Sequence, residues 1–116
     1  MKVKRIVSII ESSELDKAVD FYGGIFGLDL HMDLGWIRTY GSDSYMSAQI
    51  NIVKPRSPAA SVPDLTIEVD DIKTALDRVK KANIRIEYGP QLEEWGARRF
   101  FIRDPFGKLI NVMQLE

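Results

Sequence analysis

The 116-residue sequence balances 16 basic against 17 acidic residues for a net charge of −1, and 45% of it is hydrophobic. That is the make-up of one globular domain with a core of its own, and it gives no electrostatic reason to bind nucleic acid or an anionic membrane surface. The absence of cysteine removes disulfides, thiol catalysis and cysteine-based zinc sites, and a single histidine, His31, leaves no nucleophilic triad.

The opening Met1-Lys2-Val3-Lys4-Arg5 is basic but leads into a strand-like run too short for a signal peptide, and no apolar run reaches membrane-spanning length. A cytoplasmic protein is expected. Val3 to Ile10 is rich in β-branched residues and reads as a strand. Ser13-Glu14-Leu15-Asp16 reads as a helix N-cap followed by acids in the first turn, and Leu15, Ala18, Val19 and Tyr22 fall on one helical face. Gly23-Gly24 loosens the helix end. Short strands follow over Leu28–Met32 and Trp36–Tyr40, then a turn at Gly41-Ser42-Asp43-Ser44 and a longer strand over Met46–Val53.

Residues 54–63 hold Pro55, Pro58 and Pro63 among Ser and Ala, and read as a linker. The plan then repeats: a strand over Asp64–Val69, an N-cap at Asp71, a helical stripe of Ile72, Ala75, Leu76, Val79 and Ala82, and a C-terminal cap at Asn83. Ile84–Tyr88 reads as a strand and Gly89-Pro90 as a turn. A hairpin ends the chain, two apolar runs flanking Asp104-Pro105-Phe106-Gly107, a tight-turn sequence. Ile10, Glu11, Ala18 and Asp20 recur 57 positions later as Ile67, Glu68, Ala75 and Asp77, and Leu15 and Val19 match Ile72 and Leu76 at the same offset. Each half thus reads as strand, helix and three strands, and neither half alone buries both its sheet and its helix.

Trp95-Gly96, the Arg/aromatic strand after it, Asp104-Pro105-Phe106-Gly107-Lys108-Leu109-Ile110 and the short final strand resemble the C-terminal signature of the vicinal oxygen chelate superfamily. Glyoxalase I, fosfomycin and bleomycin resistance proteins and extradiol dioxygenases belong to it. Val7 to Tyr22 with Gly27-Leu28 is similar to the family's opening strand and helix, and Ile67-Glu68-Val69-Asp70-Asp71 to the second module's strand exit. The pattern is nearest to the bleomycin-resistance branch. The resemblance implies an α+β fold of two βαβββ modules in pseudo-twofold tandem, their curved mixed sheet wrapped round a concave cavity, with module 1 at about 1–53, the linker at 54–63 and module 2 at 64–116. It also implies a homodimer, with module swapping open to it.

Metal-dependent members of the family place His, Gln or Glu ligands on four strands. Carried across by position, those sites are Val7, Gln49 or Asn51, Asp64 and Asn111. Val7 cannot ligate, and a neutral amide is a weaker ligand than a carboxylate, so no metal and no other cofactor is expected. Asp64 is the best candidate for a general base; Glu11 and Glu68, related by the repeat, read as structural.

Strand alternation puts Val7 with Ile9, Gln49 with Asn51, Asp64 with Thr66 and Asn111 with Met113, an apolar floor bearing amides and one acid. Trp36, Trp95 and Phe100 offer flat surfaces, with core or interface packing as the alternative, and Arg98 a group for an anion. The expected ligand set is Val7, Ile9, Gln49, Asn51, Asp64, Thr66, Trp95, Arg98, Phe100, Asn111 and Met113. Three functions fit this reading. The first is metal-independent binding or sequestration of a small, partly apolar or aromatic molecule. The second is a metal-dependent glyoxalase-like lyase or isomerase, or a dioxygenase, with an atypical site. The third is a module for protein contacts, its cavity filled by Trp36, Trp95, Phe100 and Met113.

Overall fold

The computed structural model describes residues 1–43, 49–55 and 61–116. The chain divides into two compact units: Val7–Val62, the N-terminal unit, and Met1–Ile6 with Pro63–Glu116, the C-terminal unit. Strand β1 (Val3–Glu11) crosses the boundary. The fold is α+β with mixed sheet pairing, as the sequence leads one to expect. No helix of the described residues is long and apolar enough to cross a membrane.

In the C-terminal unit, β5 (Leu65–Val69), β6 (Ile86–Leu92), β7 (Ala97–Arg103) and β8 (Leu109–Leu115) lie in the order β5-β8-β7-β6. The β5–β8 pair is parallel and the other two are antiparallel. Helix α1 (Ile72–Lys81) covers one face, packing Ile72, Ala75, Leu76 and Val79 on Val69, Phe100, Ile110 and Val112. Asp71 caps it, accepting the Thr74 N–H at 3.1 Å and the Thr74 hydroxyl at 2.7 Å, and these bonds hold its carboxyl below the usual carboxylate range. Gln114 Oε1 accepts the Ile72 N–H, a cap supplied by β8. Beyond the helix, Asn83 takes the left-handed conformation (φ 55°) that its sequence position suggests. The first residues of the chain lie beside β5: Lys2 N–H donates to Asp70, and Arg5 and Lys4 both pair with the buried Glu68.

Gly89-Pro90 is not a turn. Strand β6 runs through it with a register shift between Tyr88 and Gln91. Proline is tolerated there because β6 is an edge strand, where a missing N–H leaves no ladder partner unsatisfied.

In the N-terminal unit β2 (Asp29–Asp33), β3 (Ile37–Gly41), β4 (Gln49–Val53) and β1 lie in that order, β4 and β1 being parallel. The first residues of the strand expected over Met46–Val53, and Ser44 of the turn before it, lie outside the described residues, as does Pro58 of the linker. Ser12 rather than Ser13 caps the turn after β1, its hydroxyl accepting the Glu14 N–H at 3.0 Å. The expected helical face is only partly realised. Leu15 and Ala18 are buried with Tyr40 and Ile52, but Val19–Ile25 winds as a π-helix with no buried residue. The turns before it, Lys17 N–H to Glu14 O, Ala18 N–H to Leu15 O and Val19 N–H to Asp16 O, span three residues and are tighter than the 3.6-residue period, and Val19 is exposed.

Candidate functional site

Because Leu65, Ile67, Phe100, Ile102, Ile110 and Val112 pack under α1, alternation turns Thr66, Glu68, Arg99, Phe101, Asn111 and Met113 to the opposite face of the C-terminal sheet. Register places Thr66 beside Asn111, Asn111 beside Phe101, and Met113 beside Arg99. All six side chains are buried. Asn111 Nδ2 donates to Thr66 Oγ1 at 3.1 Å, while its Oδ1 is buried without a hydrogen-bond partner.

One strand away, Arg99 Nε donates to Glu93 Oε1 at 3.1 Å. Its guanidinium carbon lies 5.1 Å from the Phe101 ring centre and 5.4 Å from those of Tyr88 and Trp95. Tyr88 stacks on Phe101 at 4.7 Å and donates its hydroxyl to the same Glu93 oxygen, which raises the phenol pKa above its usual value; burial adds to the shift. A cation flanked by three π faces and one carboxylate makes a rigid, nearly charge-balanced wall.

Trp95, Thr66, Asn111 and Met113 therefore lie together, and Arg98 and Phe100 do not join them. Phe100 is fully buried in the core beneath α1, and Arg98 sits on that same side, paired with Glu116 at 2.8 Å. There Arg98 borders a cavity of about 220 Å³ with Ile72, Lys73, Leu76, Pro90, Gln91 and Leu92. The cause is one residue of register. A four-residue turn over Asp104–Gly107 pairs Arg103 with Lys108, and hence Phe100 with Asn111. In the structure Lys108 belongs to the turn: its N–H donates to Asp104 Oδ1, and the ladder begins with Arg103 opposite Leu109. A slip of one residue exchanges the two faces of a strand. Arg99 and Phe101 share the face of Asn111 for that reason, with the fifth turn residue as the signal, and Tyr88 joins them through the β6–β7 pairing.

Asp64 is exposed. Its Oδ2 accepts the Leu109 N–H at 2.9 Å and its own N–H donates to Leu109 O at 2.8 Å, so the residue clamps the start of β8. In the N-terminal unit Ile9, Asn51 and Thr39 are in register across β1, β4 and β3, and Thr39 donates its hydroxyl to Asn51 Oδ1 at 2.6 Å. Val7 is buried, and Gln49, Asn51 and Ile9 are half-buried. Ile9 beside Asn51 and Thr66 beside Asn111 occupy equivalent places in the repeated plan, 57 residues apart on the first strand of each unit. His31 lies in β2, 3.9 Å from Asp43.

The family model described as Glyoxalase/Bleomycin resistance protein/Dioxygenase superfamily matches residues 5–112. The chain belongs to that superfamily. No curated protein matches this glyoxalase-superfamily chain. Solved structures of similar fold include an NAD-dependent benzaldehyde dehydrogenase from Legionella pneumophila (TM-score 0.77, 13% identity, 97% of this chain and 100% of that one). Methylmalonyl-CoA epimerase from Mycobacterium tuberculosis is another (0.74, 21%, 98% and 89%). A third is a glyoxalase/bleomycin resistance protein/dioxygenase superfamily member from Vibrio splendidus (0.67, 16%, 95% and 97%). At these identities the likeness is one of fold.

The donors at the four family positions do not fit a divalent cation. Val7 offers none, Gln49, Asn51 and Asn111 offer neutral amides, the Asn51 oxygen already accepting from Thr39, and the one carboxylate, Asp64, accepts a backbone N–H, so little negative charge offsets a cation's dehydration. Among the described residues, no three His, Cys, Asp or Glu side chains cluster as a metal site.

Proposed function

We propose that this glyoxalase-superfamily protein binds a small, partly apolar or aromatic molecule without a metal ion, on the C-terminal sheet face that carries Thr66, Asn111, Met113 and Arg99. The observation behind this reading is the Asn111 carbonyl oxygen, buried and without a hydrogen-bond donor. Leaving a buried acceptor unsatisfied costs about 1–3 kcal/mol, so the group favours any species that brings it an N–H or O–H. Thr66 accepts one N–H of the amide, and the amide oxygen is left for that species. The aromatic wall of Trp95, Tyr88 and Phe101 around Arg99 suits a planar ligand body, apolar surface supplying affinity and sparse polar groups orientation.

The test has two arms. Metal content is measured by mass spectrometry on protein purified without chelator, and chelator-treated protein is titrated calorimetrically with Zn²⁺, Ni²⁺, Mn²⁺ and Fe²⁺. Neither metal nor binding heat is expected; stoichiometric metal that disappears in Asp64→Ala overturns the metal-free reading. In parallel, chelator-treated protein is screened by thermal shift against planar aromatic molecules bearing N–H or O–H donors. A ligand at about 100 times its Kd adds about 2.7 kcal/mol of stability. That gain is expected to vanish in Asn111→Leu, and ligands that stabilise the variant equally place binding elsewhere.

A further inference from the structure

Between the first turn of α1 and the far end of β6, the C-terminal unit holds a cavity on the side of its sheet away from Thr66 and Asn111. Gln114 of β8 fixes that turn over the sheet by accepting the Ile72 N–H at 2.9 Å. The core under α1 takes in Ile86 at the start of β6, whereas Leu92, the last residue of the strand, is 52% exposed. Leu92, Ile72, Leu76 and Pro90 give the cavity an apolar lining, and its volume is about 220 Å³. An apolar cavity of ~150 Å³ takes a benzene ring, and drug-sized ligands need roughly 300–1,000 Å³. The size that fits is one ring, or a short alkyl chain, with a single substituent.

The charged residues that line this cavity, Lys73 and Arg98, are both basic. Arg98 stands opposite Leu92 in the β6–β7 ladder, so the two side chains share a face. Its Nε donates to Glu116 at 2.8 Å. Among the described residues its two terminal nitrogens have no hydrogen-bond partner, and Lys73 has no ion pair. A planar guanidinium with both terminal nitrogens open suits the two oxygens of one acid group, and Lys73 adds a point charge from the helix. Glu116 offsets one of the two cations, so one further negative charge offsets the other.

We propose that this cavity binds a small organic carboxylate, its apolar body against Ile72, Leu76 and Leu92 and its acid group held by Arg98 and Lys73. A neutral molecule of the same shape gains the apolar contacts but leaves both cations in water, and an amine is repelled by them. The site is independent of the face across the sheet, where the free group is the Asn111 carbonyl oxygen, an acceptor that a carboxylate cannot satisfy.

Amide chemical shifts of the isotope-labelled full chain test this, in titrations with benzoate, phenylacetate and hexanoate, each set against its alcohol: benzyl alcohol, phenylethanol and hexanol. At least one carboxylate is expected to saturate with a Kd of about 1 mM or below, the range for ligands of so few atoms. It should move the amides of Lys73, Leu76, Leu92 and Arg98. Its alcohol should bind at least about fivefold more weakly, and Arg98→Gln should weaken the carboxylate by that factor while leaving the alcohol unchanged. Arg98 and Lys73 are exposed, so neutralising either costs little stability, and Lys73→Gln decides if Arg98→Gln does not fold. Lys108→Gln, exposed in the β7–β8 turn, leaves binding as it was. The proposal is overturned if none of the three carboxylates binds in the millimolar range, if an alcohol binds as tightly as its acid, or if binding survives in the folded variants. Shifts centred on Thr66 and Asn111 instead of Lys73 and Leu92 overturn it as well.

Discussion

Arg99 stands directly across the β7–β8 ladder from Met113, with its Nε 3.1 Å from Glu93 and three ring centres within 5.4 Å of its guanidinium. Both partners of this ion pair are shielded from water, so removing one strands the other. Arg99→Met is expected to cost about 2–3 kcal/mol of folding stability, and Glu93→Gln in the Arg99→Met background to recover part of it. Urea unfolding of the two single variants and the double variant gives the coupling; additive losses would mean that the pair acts only as packing.

Tyr88 gives the same cluster a pH dependence. Its phenol is raised above the usual tyrosine value, first by the hydrogen bond to Glu93 and then by burial. A proton bound more tightly in the folded state contributes stability that is fully present below the unfolded tyrosine pKa, near 10, and is lost as pH rises through the higher folded value. Titration of phenolate absorbance is expected to show one late-ionising tyrosine that disappears in Tyr88→Phe. An unchanged titration in that variant would assign the late group elsewhere.

At the start of α1 the sign reverses. The Thr74 hydroxyl and N–H lower the Asp71 pKa, so the cap contributes above the unfolded aspartate pKa and is lost as pH falls through the depressed folded value. Asp71→Ala is expected to lower the urea midpoint at neutral pH, and the gap from wild type should close towards strongly acidic pH. Asp71→Asn keeps a capping oxygen without the charge and should show a smaller loss and a flatter pH profile.

Much of this architecture is written locally in the chain. Asp71, Asn83 and the Asp104–Gly107 turn follow from the bonds and dihedrals those residues favour, and the 57-residue repeat recurs as Ile9 beside Asn51 and Thr66 beside Asn111. What local pattern does not carry is register. Whether Lys108 belongs to the turn or to the strand decides whether Phe100 or Phe101 meets Asn111, and the answer lies in the Asp104 carboxylate accepting the N–H groups of both Phe106 and Lys108. The π-helix is illegible for a related reason: a pattern of apolar residues at Leu15, Ala18, Val19 and Tyr22 does not say where three-residue turns give way to the wider winding of Val19–Ile25.

Gly89 offers the sharpest local test of the β6 geometry. Its φ is +79°, and a Cβ built there falls 2.5 Å from the backbone oxygen of Arg99 and 3.0 Å from the Gln91 nitrogen. Those neighbours are main-chain atoms of the β6–β7 ladder, so they cannot rotate aside as a side-chain end would. Left-handed backbone alone costs a residue with a Cβ about 1–2 kcal/mol, and the clash adds to it, so Gly89→Ala should lose at least about 2 kcal/mol. The displaced Arg99 carbonyl also shifts the strand that carries the guanidinium, so the late Tyr88 ionisation should move towards the ordinary tyrosine value in the same variant. Urea unfolding and phenolate titration check both effects. A variant as stable as the wild type, with its tyrosine titration intact, would show that β6 passes Arg99 at a greater distance.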